Sequence, residues 1–167
     1  RRVKPPKVER KEAKYLDEEQ TATLLRLLDK EPYQNQVMIR FFLLSGVRRG
    51  ELCGLEWKDI DFKSNIISVC RTSQYLPEKG VFTKGTKTDS SVRSIKLPEQ
   101  AFELLKEHRK WQRKKRIAMG DRWVDSDRIF AQDDGTPVHP DSITGWFHDF
   151  ISRTDLPQIS IHSLRHT

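Results

Sequence analysis

Cysteine is scarce in this chain: Cys53 and Cys70 are the only two in 167 residues. That excludes a disulfide-built scaffold, and neither thiol sits in a zinc-like spacing with other Cys or His residues. Each follows an aliphatic residue, Leu52 and Val69, so both are expected to be buried free thiols. Long apolar runs are also missing. No segment approaches the roughly 20 residues needed to cross a bilayer, and no leader-like charged and apolar opening is present. These absences predict a cytoplasmic protein with no membrane partner. No acidic cluster has metal-ligand spacing, so neither a metal nor a cofactor is expected. Acid is in deficit overall: 24 Asp and Glu stand against 31 Lys and Arg, a net charge of +7. A basic balance points to a polyanionic partner, nucleic acid before membrane, although composition alone also fits a protein that is merely soluble and basic.

What is there is enough for one domain. Hydrophobic residues make up 35% of the chain and recur in periodic blocks. Arg1 to Lys14 is basic, contains Pro5-Pro6 and lacks apolar periodicity, so residues 1–14 read as a linker from a preceding domain and residues 15–167 as the folded unit. Asp17 and Gln20 form a capping-box pattern ahead of an apolar helix face of Leu24, Leu25, Leu27 and Leu28. A second helix, carrying Val37, Met38, Phe41, Phe42 and Leu44, is expected to end at Gly46, and Arg48 to Leu55 to form a third. Residues 61–69 read as strand, polar turn and strand, and Ser91 to Leu97 alternates as a third strand. Between them, Pro77 to Ser90 reads as a polar loop. Pro98-Glu99 opens a long helix with the basic run Arg113, Lys114, Lys115 and Arg116 near its end. A short strand is expected at Ile129-Phe130, and a helix capped by Asp141 or Ser142 after it. The fold class is therefore α+β and mainly helical, with a small three-stranded antiparallel sheet at one edge.

Two stretches carry the chemistry. His162-Ser163-Leu164-Arg165-His166 places an imidazole and a guanidinium three residues apart, on one face of a helix. Leu44 to Leu52 brings Arg48, Arg49 and Glu51 together. Two arginines from distant parts of a chain can clamp a phosphate from two sides, each charge-assisted hydrogen bond contributing about 1.5–3 kcal/mol. A guanidinium does this without changing charge, and an imidazole exchanges a proton near neutrality.

With these blocks stand Thr86-Lys87-Thr88 leading into Ser91-Val92-Arg93-Ser94-Ile95-Lys96-Leu97-Pro98, and Phe130 with Gly135-Thr136-Pro137. In this order and separation the four resemble the catalytic domain of the tyrosine recombinases, the phage and transposon integrase family, from about Leu16 to the end. The resemblance implies site-specific DNA recombination by strand cleavage and rejoining through a 3′-phosphotyrosine. It implies Arg48 and Arg165 as the paired catalytic arginines, Glu51 as support for the first, Lys87 as donor to the leaving 5′ oxygen, and His162 as a proton-transfer and phosphate-binding group. Arg49 competes with Arg48, and Lys84 with Lys87. Arg49, Lys84, Arg113, Lys114, Lys115 and Arg116 are further expected DNA contacts. The implied partner is double-stranded DNA, with a monomer in isolation assembling into a tetramer on it. The family nucleophile is a tyrosine downstream of the second arginine, whereas Tyr15, Tyr33 and Tyr75 all lie upstream. None is assigned as nucleophile, and the 167 residues are expected to bind DNA without cleaving it, the catalytic domain being incomplete at its C-terminal end. Other readings are a type IB topoisomerase-like enzyme and a catalytically dead DNA-binding remnant. A metal hydrolase built on His162 and His166 is disfavoured, because no third ligand follows.

Overall fold

The structure is a computed structural model, and it describes residues 14–85 and 92–167. Five α-helices run through the described residues: α1 (Glu18–Leu28), α2 (Tyr33–Ser45), α3 (Arg49–Gly54), α4 (Glu99–Met119) and α5 (Pro140–Ser152). Five strands accompany them there: β1 (Ile60–Asp61), β2 (Ile66–Val69), β3 (Arg71–Leu76), β4 (Gly80–Gly85) and β5 (Arg93–Lys96). A 3-10 helix, Ile161–His166, follows α5. No described helix is long and apolar enough to cross a membrane.

The local signals explain the helix ends. The Asp17 side chain accepts from the Gln20 amide at 2.7 Å, and the Gln20 side chain accepts from the Asp17 amide at 2.9 Å. This is the reciprocal cap that starts α1. Helix α2 is apolar on most sides because it is the centre of the core: Val37, Met38, Ile39, Phe41 and Phe42 are all buried. It stops at Gly46, whose φ of +63° is the left-handed conformation that glycine adopts without a Cβ penalty. Helix α5 starts one residue before Asp141, with His139 as the cap: its Nδ1 accepts from the Asp141 amide at 3.1 Å.

The expected three-stranded antiparallel sheet is present, ordered β1-β2-β5, with Ile67 opposite Ile95. Beside it lies a second, two-stranded sheet that the residue pattern does not announce. Strands β3 and β4 pair from Arg71–Gly85 to Leu76–Gly80, so the hairpin extends into the first part of the stretch expected to be a polar loop. Its strands carry no apolar alternation because only Ser73 is buried, against α3, while the residues beyond it face solvent. Ile129-Phe130 forms no strand. The chain there makes two isolated bridges, Glu56 to Arg128 and Ala131 to Pro137. Cys53 is buried and free as expected, whereas Cys70 is free but only half-buried.

The third helix lies on the hairpin at very close range. A Cβ placed on Gly50 would sit 2.3 Å from Thr72 Oγ1 and 3.0 Å from the Ser73 carbonyl oxygen. Only a glycine allows the helix that follows Arg48 to rest on β3 at this distance. Within the core, His108 is fully buried among Tyr33, Trp57, Trp111 and Phe130, with Nε2 2.6 Å from the Ile129 carbonyl. Burial there pushes the imidazole down to about 4, outweighing the Ile129 hydrogen bond.

Two outcomes are expected. Gly50→Ala should lower stability by about 1–3 kcal/mol through overpacking, read from urea unfolding. His108 is neutral in the fold and takes up a proton more readily when unfolded. Its contribution is therefore intact above the ordinary histidine range and is lost as pH falls from there toward 4, with a slope of up to about 1.4 kcal/mol per pH unit. His108→Gln should remove that slope in urea titrations across the window.

Candidate functional site

The site is built around the junction between α2 and α3. The left-handed turn at Gly46 reverses the chain and delivers Arg48 as the residue before α3, not as its first helical residue. The Arg48 side chain is 65% exposed and free to reach outward. One turn into α3, Glu51 is buried, 8% exposed, and its carboxylate collects three sets of donors. The Arg48 amide donates at 2.8 Å and the Arg48 guanidinium lies at 3.3 Å. The Arg93 guanidinium, from β5, donates two parallel bonds of 2.8 Å to both carboxylate oxygens. Burial alone would raise the Glu51 carboxyl. The Arg93 fork, the Arg48 amide and the two guanidinium charges outweigh it and hold the group down at about 2. Glu51 is thus an anion at every ordinary pH, and it fixes the base of Arg48.

Arg165 arrives from the other end of the chain. The 3-10 helix Ile161–His166 packs on α2, with Ile161 and Leu164 buried. This tighter helix replaces the α-helical turn expected for the His-Arg pair, and in it residues three apart eclipse one another. The Arg165 Nε donates to the Gly46 carbonyl at 2.9 Å, across 119 residues of sequence. That bond ties the guanidinium to the backbone turn two residues before Arg48. His162 is exposed. Its partial burial, then the positive charges of Arg49 and Arg165, shift its imidazole downward from the usual histidine value. His166 points elsewhere, its ring edge-on to Tyr15 at 5.7 Å.

An open cleft of about 410 Å³ receives Arg48, Arg49 and His162 together with Thr72 to Tyr75 of β3 and Asp141 of α5. Arg49 also ties α3 to α5, donating to Asp141 at 2.9 Å and to Thr144 at 2.8 Å. Tyr75 sits just ahead of the stretch expected to be a polar loop. It lies in β3 on the cleft wall, its ring 4.1 Å from that of His139. Lys84 is exposed on β4, opposite Thr72, on the strand paired with the cleft-lining β3. Lys87 lies outside the described residues.

The basic run of α4 contributes nothing to this cleft. Lys115 is paired with Asp133 and stands 4.5 Å over the Trp111 ring, and Arg116 meets Asp125 at 3.3 Å. Arg113 and Lys114 are exposed.

Two functional residues carry no obvious signature in the sequence. Arg93 hides among the alternating positions of a strand, although a charged residue there, beside a motif, is an available signal. Arg128 is 6% exposed and donates to the Gly54 carbonyl at 2.6 Å and to Thr83 on β4. Arg71 donates to the same carbonyl at 3.2 Å and pairs with Asp59. Two guanidiniums thus moor the hairpin to the end of α3.

Residues 14–167 match the family model described as the phage integrase family. Among curated proteins, a tyrosine recombinase XerC-like protein of Caldanaerobacter subterraneus is 29% identical over 152 residues, covering 83% of this chain and 39% of that protein. The ICEBs1 integrase of Bacillus subtilis is 27% identical over 165 residues, covering 99% of this chain and 44% of the relative. The chain therefore spans under half the length of these two relatives. A structure of the Tn1549 transposon integrase in complex with transposon right end DNA superposes with a TM-score of 0.78 at 23% identity, over 98% of this chain and 52% of that one. This likeness establishes the fold.

Removing the Arg93 fork tests the core of the site. In Arg93→Met, the Glu51 carboxyl should rise well above 2 in a carbon-detected NMR titration. Stability should fall by about 1–2 kcal/mol, the low end for a charge-assisted pair because Arg93 is partly exposed.

Proposed function

The chain belongs to the phage integrase family, and on that premise we propose that it is the phosphate-handling catalytic domain of a tyrosine recombinase. The whole protein would cut and rejoin DNA in site-specific recombination, at the integration or excision of a mobile element. The observation that carries this reading is the convergence of Arg48 and Arg165 on one turn of backbone, with His162 in the adjoining cleft.

The chemistry follows from charge. Attack on a phosphodiester by a tyrosine oxygen forms a phosphorus–oxygen bond, places added negative charge on the non-bridging oxygens, and expels the 5′ oxygen, which needs a proton. Arg48 and Arg165 offset that charge from two sides. Glu51, kept ionised by Arg93, holds Arg48 in place. His162, with its downshifted imidazole, binds a phosphate oxygen or relays a proton. Lys87 is the proposed donor to the 5′ oxygen and Lys84 its alternative. The phosphotyrosine bond conserves the energy of the broken linkage, so no external energy source is required.

Double-stranded DNA is the proposed partner, bound by the basic residues around the cleft, with Arg49 and Lys84 as further phosphate contacts there and Arg113 and Lys114 as contacts on α4, outside the cleft. A tetramer on DNA is the proposed working assembly; a lambda integrase tetramer has been crystallised bound to a Holliday junction. Residues 1–14 are proposed as the connection to a DNA-binding domain, and the bacterial cytoplasm as the site of action. The nucleophile is proposed to be none of Tyr15, Tyr33 and Tyr75. Tyr33 packs in the aromatic cluster and Tyr15 against His166, while Tyr75, although on the cleft wall, is engaged with His139.

In the full-length protein, incubation with a nicked DNA substrate should give a covalent protein–DNA adduct. Arg165→Ala should abolish it, and Tyr75→Phe should leave its rate within about twofold, well under the roughly 1.4 kcal/mol that a tenfold change represents. An adduct formed at normal rate by Arg165→Ala would remove that residue from the mechanism. Duplex binding by the 167-residue chain should weaken steeply between low and physiological salt, as expected when several phosphates are neutralised.

A further inference from the structure

Outside the cleft, α4 has a second concentration of positive charge. Arg109, Arg113 and Arg116 recur at helical spacing and so lie along one face. They border a cavity of about 150 Å³, closed on its far side by residues 123–128 and floored by Trp57. A water needs only about 10–15 Å³ of such space, so there is room for a tetrahedral oxyanion with water around it. The floor is rigid. The Trp57 indole N–H donates to Gln112 Oε1 at 2.8 Å, and the Gln112 amide donates to the Arg128 and Ile129 carbonyls. Arg109 is held over the Trp57 ring at 5.1 Å.

The charges of this cavity do not balance. Four guanidiniums line it, against two carboxylates, Asp125 and Asp127. Asp125 is occupied by Arg116 at 3.3 Å, and Asp127 accepts from the Lys58 amide at 3.3 Å. Arg113 forms no ion pair among the described residues. The fourth guanidinium, Arg128, is buried, and its nearest carboxylate, Glu56, stands 3.6 Å away while also serving Lys58 at 2.9 Å and Arg71 at 3.5 Å. The Arg128 Nε has no hydrogen-bond partner among the described residues. Arg128 is thus a buried cation whose terminal nitrogens are bonded to Gly54 and Thr83 and whose carboxylate is shared with two other cations, a charge that a further anion nearby would offset. Arginine-rich, Trp-floored surroundings suit the planar donors that recognise phosphate oxygens.

We propose that this cavity is a phosphate-binding site separate from the Arg48–His162 cleft, taking one phosphate group, whether of a DNA backbone or of a free phosphorylated molecule. The inference rests on this cavity alone and does not depend on the recombinase reading.

The test uses the ¹⁵N-labelled 167-residue chain carrying Arg48→Ala, which weakens the other phosphate-binding cleft. The probe is inorganic phosphate, added at constant ionic strength, with the four tryptophan indole N–H signals as local reporters. The Trp57 and Trp123 signals should shift saturably. That of Trp146, bonded to Glu31 in another part of the fold, should stay still. Adding Arg113→Gln and Arg116→Gln, both exposed positions, should weaken the response at least ~10-fold, as expected for loss of two charge-assisted contacts. The corresponding double lysine variant should retain part of it. A linear drift of all four signals, or none, means an adventitious ion only and overturns the proposal, as does a saturable shift indifferent to the glutamine variants. A short duplex that moves the same two indoles identifies the occupant as backbone phosphate. A duplex that leaves them still, when inorganic phosphate moves them, identifies it as a free phosphorylated ligand.

Discussion

One carboxylate under cover, that of Glu51, carries the arrangement on which the rest of the site depends. A buried anion is tolerated only when its lone pairs are filled, and here the filling groups come from two separate elements. The Arg48 amide binds it at the head of α3, and the Arg93 fork binds it from β5. Satisfying one charge therefore pins a helix start to a sheet. It also leaves the Arg48 guanidinium poised at the surface with only a long contact to its own support. The preference of any helix N-terminus for negative charge reinforces the same placement.

A second set of buried charges does for the hairpin what Glu51 does for the arginine. The Gly54 carbonyl, at the end of α3, accepts from both Arg71 and Arg128, while Glu56 and Asp59 supply the opposing charge. The hairpin buries little apolar surface of its own, since Tyr75 and Leu76 are exposed, and a two-stranded ribbon is marginal alone. Its stability therefore comes from these polar ties and from the close seat that Gly50 allows on β3. Both ends of a six-residue helix are fastened in this way, one beside the exposed Arg48 and the other to the hairpin bearing Lys84.

Much of this is legible in the residues. The Asp17–Gln20 cap, the apolar girth of α2, the stop at Gly46 and the three-stranded sheet follow from local rules, and the structure contains each. Arg48, Glu51, His162 and Arg165 are recognisable as a set, and the fold gathers them at one junction. The hairpin is not legible, because Thr72, Ser73 and Gln74 give no period-two apolar signal when only one position faces inward. Arg93 and Arg128 are hidden for a related reason: a buried charge is defined by partners distant in sequence, 42 residues for Arg93 to Glu51 and 74 for Arg128 to Gly54. Tyr75 escapes for the same cause, since its position on the cleft wall follows from the unseen hairpin.

The bond from Arg165 to the Gly46 carbonyl spans 119 residues. Closing a flexible loop of that length costs on the order of 4 kcal/mol in chain entropy, which the packing of Ile161 and Leu164 beside it helps to offset. A ribosome that has released α2 and α3 has exposed Arg48 with nothing opposite it. The nascent chain thus carries only half of the arrangement around Gly46 until synthesis and folding have brought Arg165 into place.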